Sequence, residues 1–262
     1  MLTSLCSTYC RGPDNNRTLE SYSGEGRPRL GYAMPDFANP SGLSMNLADR
    51  LSLLDFAHAL GMPLIEDAAY EKLRYDGKAL PPLIALDAKR SGSVDKGLVI
   101  YCGTFSKTIV PGLRLGWIVA PRPVFEKLVL IKQSSDLHCS PLNQMVMLEV
   151  ASETLLSRMP AVCAAYKTRR DAMLEALARH MPKSVTWTKP EGGIFIWLTL
   201  AQGVDGAELL ERSLKEARVA FVPGRPFFTD GTGSNTLRLN FTLALPATIN
   251  EGIGHLGRLL AE

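Results

Sequence analysis

Gly97-Leu-Val-Ile-Tyr-Cys-Gly-Thr-Phe-Ser-Lys-Thr-Ile-Val-Pro-Gly-Leu-Arg-Leu-Gly-Trp-Ile-Val-Ala120 places two short apolar runs on either side of a hydroxyl-rich turn. Runs of this length, 97–102 and 115–120, are too short for helices and read as buried strands. Working towards the N-terminus, Pro63–Ile65 is a similar run ending in Glu66-Asp67. Before it, Asn46–Leu60 repeats apolar residues every three or four positions (Leu47, Leu51, Leu54, Ala57) and has Gly61 just past its end, as a helix does. Earlier still, Leu30–Met34 predicts a strand that runs into Pro35 and the turn Asn39-Pro40-Ser41-Gly42. Towards the C-terminus, helices are predicted over Val124–Gln133, Asn143–Ser157 and Ala161–Met181. Short buried strands alternating with helices predict an α/β fold, a mostly parallel sheet with helices on both faces.

After Pro182 the texture changes. Strands are predicted at Val185–Thr188, Ile194–Leu200, Ala220–Val222 and Leu237–Phe241, with helices at Gly206–Ala217 and Thr248–Leu260. This α+β pattern predicts a small C-terminal domain. The expected division is an irregular lead-in at 1–28, a larger domain at 29–160 and the small domain at 161–262.

Composition excludes several classes. The 262 residues carry 29 Lys+Arg against 26 Asp+Glu, a net charge of +3, too weak a field to argue for a nucleic-acid partner. With 46% hydrophobic residues the chain can bury a large core, which excludes disorder as its main state. The five cysteines, Cys6, Cys10, Cys102, Cys139 and Cys163, form no C-x-x-C pair and are odd in number, which favours a reducing compartment. His58, His138, His180 and His255 are scattered without ligand spacing, so no metal is expected. The start lacks a basic region and a long apolar core, and the longest apolar run, Ile194–Leu200, is far short of a membrane span. The expectation is a soluble, cytoplasmic protein with no membrane partner.

Ligands of open α/β sheets bind beyond the carboxyl ends of the strands. The polar residues at those ends are Asn39, then Asp67 and Tyr70, then Thr104, Ser106 and Lys107, with Arg114 on the way into the next strand. Two hydroxyls plus a guanidinium suit a phosphate. Each residue also has a plain structural reading: Asp67 as a helix N-cap, Asn39 as a turn residue, Tyr70 as a half-buried ring, Lys107 as a solvated amine. In the last strand, Leu237, Leu239 and Phe241 share one face while Arg238 and Asn240 share the other, so Arg238 is either a ligand or part of a solvated face. Trp117, Trp187 and Trp197 read as core.

The lysine segment resembles that of fold-type I pyridoxal-phosphate enzymes, in the class I/II aminotransferase family. Pro35-Asp-Phe-Ala-Asn-Pro-Ser-Gly42 resembles the family's Asn-Pro-[Thr/Ser]-Gly turn, Glu66-Asp-Ala-Ala-Tyr70 its Asp-x-x-Tyr motif, and Thr236-Leu-Arg-Leu-Asn-Phe241 its C-terminal arginine strand. Pro-Gly-Leu-Arg-Leu-Gly-Trp117 and Gly192-Gly-Ile-Phe-Ile-Trp197 are similar to the 2-aminoadipate and aromatic aminotransferase branch.

The resemblance implies pyridoxal 5'-phosphate as cofactor, held by Lys107 as a Schiff base, with Asp67 at the ring nitrogen. It places Asn39 and Tyr70 at the phenolic oxygen, and Thr104, Ser106 and Arg114 at the phosphate. Arg238 would bind the substrate α-carboxylate. The implied reaction moves an amino group from an L-amino acid (2-aminoadipate, aromatic or aliphatic) to a 2-oxo acid such as 2-oxoglutarate, in a homodimer. The same motifs also serve a pyridoxal-phosphate lyase, the sensing domain of a transcription regulator, or an inactive remnant. Family members carry a long stretch before the Asn-Pro-Ser-Gly turn, with a Gly-rich turn and a ring-stacking aromatic. Residues 1–28 show neither, so the chain resembles an N-terminally shortened member.

Overall fold

Two parallel strand junctions, each bridged by a helix, build the first sheet in a computed structural model that describes residues 28–261. All but the last residue of the expected lead-in at 1–28 lies outside the described residues. The strands are β1 (Gly31–Ala33), β2 (Leu64–Asp67), β3 (Val99–Thr104) and β4 (Gly116–Val119), in that spatial order. β4 runs antiparallel to β3, so the sheet is mostly parallel, as expected.

Helix α1 (Leu47–Leu60) bridges β1 and β2. It starts at a reciprocal cap in which Asn46 accepts from Asp49 N at 2.9 Å while the Asp49 carboxylate accepts from Asn46 N at 3.3 Å. Helix α2 (Leu83–Ser91) bridges β2 and β3 and has no counterpart in the sequence reading. Its two buried positions are Leu83 and Asp87, so an acid interrupts the apolar repeat that would have revealed it.

Leu53, Leu54 and Leu83 of these helices pack with Leu64 and Val99 on one face of the sheet. The opposite face presents Ile65, Asp67, Ile100 and Cys102, all half-buried, and an exposed Tyr32.

Helix α3 spans Arg122–Ser135 and buries none of its residues. Helix α4 is one continuous 40-residue helix, Pro141–His180, where the sequence predicted two helices with a break before Ala161. Pro160 sits inside it and removes a single N–H, the one that would bond the carbonyl of Leu156. Leu156 is 87% exposed, so water can take that carbonyl and the helix continues. The expected boundary between residues 160 and 161 therefore falls within a helix.

The second sheet holds β5 (Thr186–Trp187), β6 (Phe195–Thr199), β7 (Val222–Pro223) and β8 (Thr236–Asn240), antiparallel in the order β5-β6-β8-β7. Helix α5 (Gly206–Arg212) runs on into a π-helical turn at Ser213–Ala217, and helix α6 spans Pro246–Ala261. Leu177 of α4, Ile196 and Leu198 of β6, Leu237 of β8 and Leu256 of α6 are fully buried between them. Leu239 and Phe241 are buried too, while Arg238 is half-exposed, as the alternating pattern predicts.

Trp117 corrects an expectation: it is 40% exposed rather than core. All four residues of β4 are exposed because no strand pairs with its outer edge among the described residues. Trp117 instead lies across Gly103 and tilts against Phe105, with ring centroids 4.8 Å apart. Trp187 and Trp197 are half-buried.

Candidate active site

A buried arginine fixes the turn that follows β1. Arg50 of α1 donates to Met45 O (3.2 Å), Pro35 O (3.2 Å) and Pro81 O (3.0 Å), and pairs with Asp36 at 2.8 Å. Its charge and donors are thus matched by one carboxylate and three carbonyls, which is what makes a fully buried guanidinium tolerable. Asp36 also pairs with Arg74 at 3.0 Å, and Arg74 reaches Glu191 at 2.9 Å, tying the turn to the loop before β6. Gly42 closes the turn at φ +71°, and a Cβ there would stand 2.4 Å from Phe195 O, so both its conformation and its neighbour require glycine.

Held in this way, Asn39 meets β8. Its Oδ1 accepts from Arg238 Nη1 at 2.5 Å, which leaves the Asn39 amide NH₂ free to donate elsewhere. The Arg238 guanidinium lies over the Phe195 ring at 4.1 Å and beside the Phe227 ring at 5.2 Å. Arg238 Nε is buried with no hydrogen-bond partner among the described residues. Burial holds its pKa below the ordinary arginine value, against an opposing pull from Tyr70.

Tyr70 is the hub. It is buried, its ring meets Phe195 edge-on at 5.6 Å, and Lys107 Nζ lies 5.8 Å above its centroid. Burial, reinforced by the Asp67 charge and eased by Arg238, pushes its phenol pKa up. Asp67 ends β2 just before this turn. Its Oδ1 accepts from Ala69 N at 3.1 Å and its Oδ2 from the Tyr32 hydroxyl at 2.5 Å. No helix follows Asp67, only turns at residues 69–72, so the helix-cap reading of that residue does not hold.

The Lys107 segment leaves β3 through Thr104, whose Oγ1 lies 3.0 Å from Ser106 Oγ and accepts from Ser106 N at 3.1 Å. The same hydroxyl is 3.1 Å from Leu115 O, which links the two ends of the turn. Arg114, at φ +54°, is exposed and donates to Pro111 O at 3.2 Å.

The structure therefore joins Asn39 to Arg238, sets Arg238 and Tyr70 against Phe195 and puts Lys107 over Tyr70, with Asp67 three residues before Tyr70 at the end of β2. Thr104 and Ser106, just before Lys107 in the chain, form a hydroxyl pair, and Arg114 is exposed. The sequence reading missed Tyr32, Phe195 and Phe227. Phe195 lay inside the quoted Gly192–Trp197 run, and the period-2 pattern of β6 could have placed it opposite Asn240, its register partner. Nothing local marks Phe227, which sits in a short 3-10 helix, Arg225–Phe227.

Residues 35–256 match the family model described as aminotransferase class I and II. The chain is 42% identical over 249 residues to the 2-aminoadipate transaminase of Thermus thermophilus, covering 95% of this chain and 61% of that one. It is 40% identical to aromatic-amino-acid aminotransferase 1 of Thermococcus litoralis, covering 93% and 57%. Among solved structures it superposes with a TM-score of 0.85 on the α-aminoadipate aminotransferase LysN of Thermus thermophilus, complexed with N-(5'-phosphopyridoxyl)-L-leucine, at 42% identity over 90% of this chain and 60% of that one. The chain thus spans about three fifths of the length of the curated relatives it matches.

Proposed function

Since this chain belongs to the class I and II aminotransferase family, we propose that it forms all or part of a pyridoxal-phosphate-dependent aminotransferase. The amino donor is an L-amino acid of the 2-aminoadipate, aromatic or aliphatic kind, and the acceptor is a 2-oxo acid such as 2-oxoglutarate. The observation that carries this reading is the orphaned Arg238 Nε, buried beside the Asn39–Tyr70–Lys107 group. A buried donor without a partner is unfavourable by about 1–3 kcal/mol, so its retention points to a ligand carboxylate that completes it.

The residues fit the cofactor. Asp67 offers a carboxylate to a ring nitrogen, Asn39 and Tyr70 offer donors to a phenolic oxygen, and Thr104 and Ser106 offer hydroxyls to a phosphate. Bound there, pyridoxal phosphate supplies a ring that draws electrons from the substrate Cα. Lys107 Nζ would hold the cofactor at its aldehyde carbon and, as a free amine, would carry the proton of the substrate Cα. Arg238 takes the α-carboxylate through Nε and Nη2, since Nη1 is occupied by Asn39. Asn39 thereby orients Arg238 with its oxygen while keeping its NH₂ for the cofactor. We further read the assembly as a homodimer, and its location as cytoplasmic. Among the described residues no helix is long and apolar enough to cross a membrane.

The test is incubation of the purified protein with pyridoxal phosphate, borohydride reduction and mapping of the modified lysine by mass spectrometry. A label on Lys107 that disappears in Lys107→Ala is expected. Absence of a specific label overturns the cofactor site. Transfer of an amino group to 2-oxoglutarate, against release of ammonia, then separates transamination from lyase chemistry.

A further inference from the structure

The Asp67 carboxylate has a second holder that no motif announced. Tyr32 stands on β1 opposite Ile65 of β2, and in a parallel pair such partners share a face, as does Asp67 two residues on. The phenol therefore lies along the face towards Asp67, and its hydroxyl donates to Oδ2 at 2.5 Å. Oδ1 is bound by Ala69 N, so each carboxylate oxygen has one fixed donor and keeps one further acceptor position.

We propose that Tyr32 is a positioning residue for Asp67, clamping its carboxylate in one rotation so that the remaining acceptor position meets the cofactor's ring nitrogen. This rests on the pyridoxal-phosphate reading above. The titratable groups facing the phenol are Asp67 and Tyr70 from β2 and its turn, and Cys102 from β3. Although Tyr32 is 58% exposed, desolvation of its hydroxyl, the hydrogen bond to Asp67 and the Asp67 charge together push its pKa up. The phenol thus stays a donor wherever Asp67 is ionised.

Tyr32→Phe removes the hydroxyl and keeps the ring. In the cofactor-free chain, the Asp67 carboxyl ¹³C resonance at neutral pH should move when the phenol hydroxyl that donates to Oδ2 is removed. With pyridoxal phosphate, binding should weaken by roughly three- to tenfold. In an Asp67→Asn background the same change should have little further effect on cofactor affinity, because the clamp then has no anion to hold. An unmoved Asp67 carboxyl resonance overturns the proposal, and so does an equal loss of affinity in both backgrounds, which would mark a packing role. No binding of pyridoxal phosphate by the unsubstituted chain overturns the cofactor reading itself, and the carboxyl resonance still decides the Tyr32–Asp67 link.

Discussion

Gly103 and Trp117 are register partners across β3 and β4, and the indole lies where a Gly103 side chain would be: a Cβ there would stand 2.3 Å from the ring. The ring also packs on Phe105, one residue before the Ser106-Lys107 pair, so this contact sets the exit of the lysine segment from the sheet.

Gly103→Ala should therefore displace the indole and loosen the turn. Overpacking of this kind destabilises by about 1–3 kcal/mol, and the urea midpoint should fall accordingly. Borohydride trapping at Lys107 should drop in parallel. An unchanged midpoint would show that Trp117 can swing away without loss, as its exposure would permit.

Arg238→Ala should raise KM for both amino donor and oxo acceptor by roughly tenfold to a hundredfold, the loss of a charge-assisted contact of about 1.5–3 kcal/mol. Both half-reactions must suffer, because each substrate carries a carboxylate of the same kind. Unchanged KM values for both would remove Arg238 from the site.

Asp87 predicts an acid-sensitive latch. Its Oδ1 lies 2.6 Å from His58 Nε2, and its Oδ2 accepts from Leu98 N (2.6 Å) and Val99 N (3.0 Å), joining α1, α2 and β3. Burial alone would raise its pKa, but His58 and the two amides together hold it below the ordinary value of 3.8. A lowered carboxylate stabilises the fold above that ordinary value, and the contribution is lost as pH falls through the lowered one. Asp87→Ala should cost about 3 kcal/mol near neutrality by leaving buried amides unpaired, and the deficit should shrink in acid. A deficit independent of pH in urea titrations would refute the ionic part.

Glu66 predicts the opposite slope. It is buried under α2, with its two oxygens accepting from Leu83 N (2.8 Å) and Ile84 N (2.9 Å). Burial outweighs those amides and the nearby Arg50 and raises its pKa from 4.5 to about 7. The folded chain therefore holds a proton that the unfolded chain has released, and this residue's contribution falls as pH rises from about 4.5 to 7. Glu66→Gln should flatten that part of the stability–pH curve. An identical slope in the variant would show that Glu66 is already ionised at the lower end.

Much of this was legible in the sequence where a repeat or a turn signature is local. The helix that ends before Gly61, the alternation of Leu237 and Leu239 around Arg238, and the polar ends of β2 and β3 each follow from neighbouring residues. The unread parts depend on distant partners. Helix α2 hides because Asp87 faces the core to meet His58 and the amides of β3, and α4 passes Pro160 because one exposed carbonyl can bond water. Tyr32 and Phe227 reach the site only through sheet register and a loop, which leave no local mark. Trp117 read as core because a large ring implies cover, and the cover is missing only because β4 lies at an edge.

That open edge has a cellular consequence. Trp117, Ile118 and Val119 on β4 adjoin a chain segment whose helices expose Phe125, Leu130, Ile131, Leu142, Met145 and Leu148. Quality-control machinery recognises unpaired strands and apolar helix faces of this kind. Exposed apolar surface of this kind favours association and chaperone binding, whatever the strength of the core.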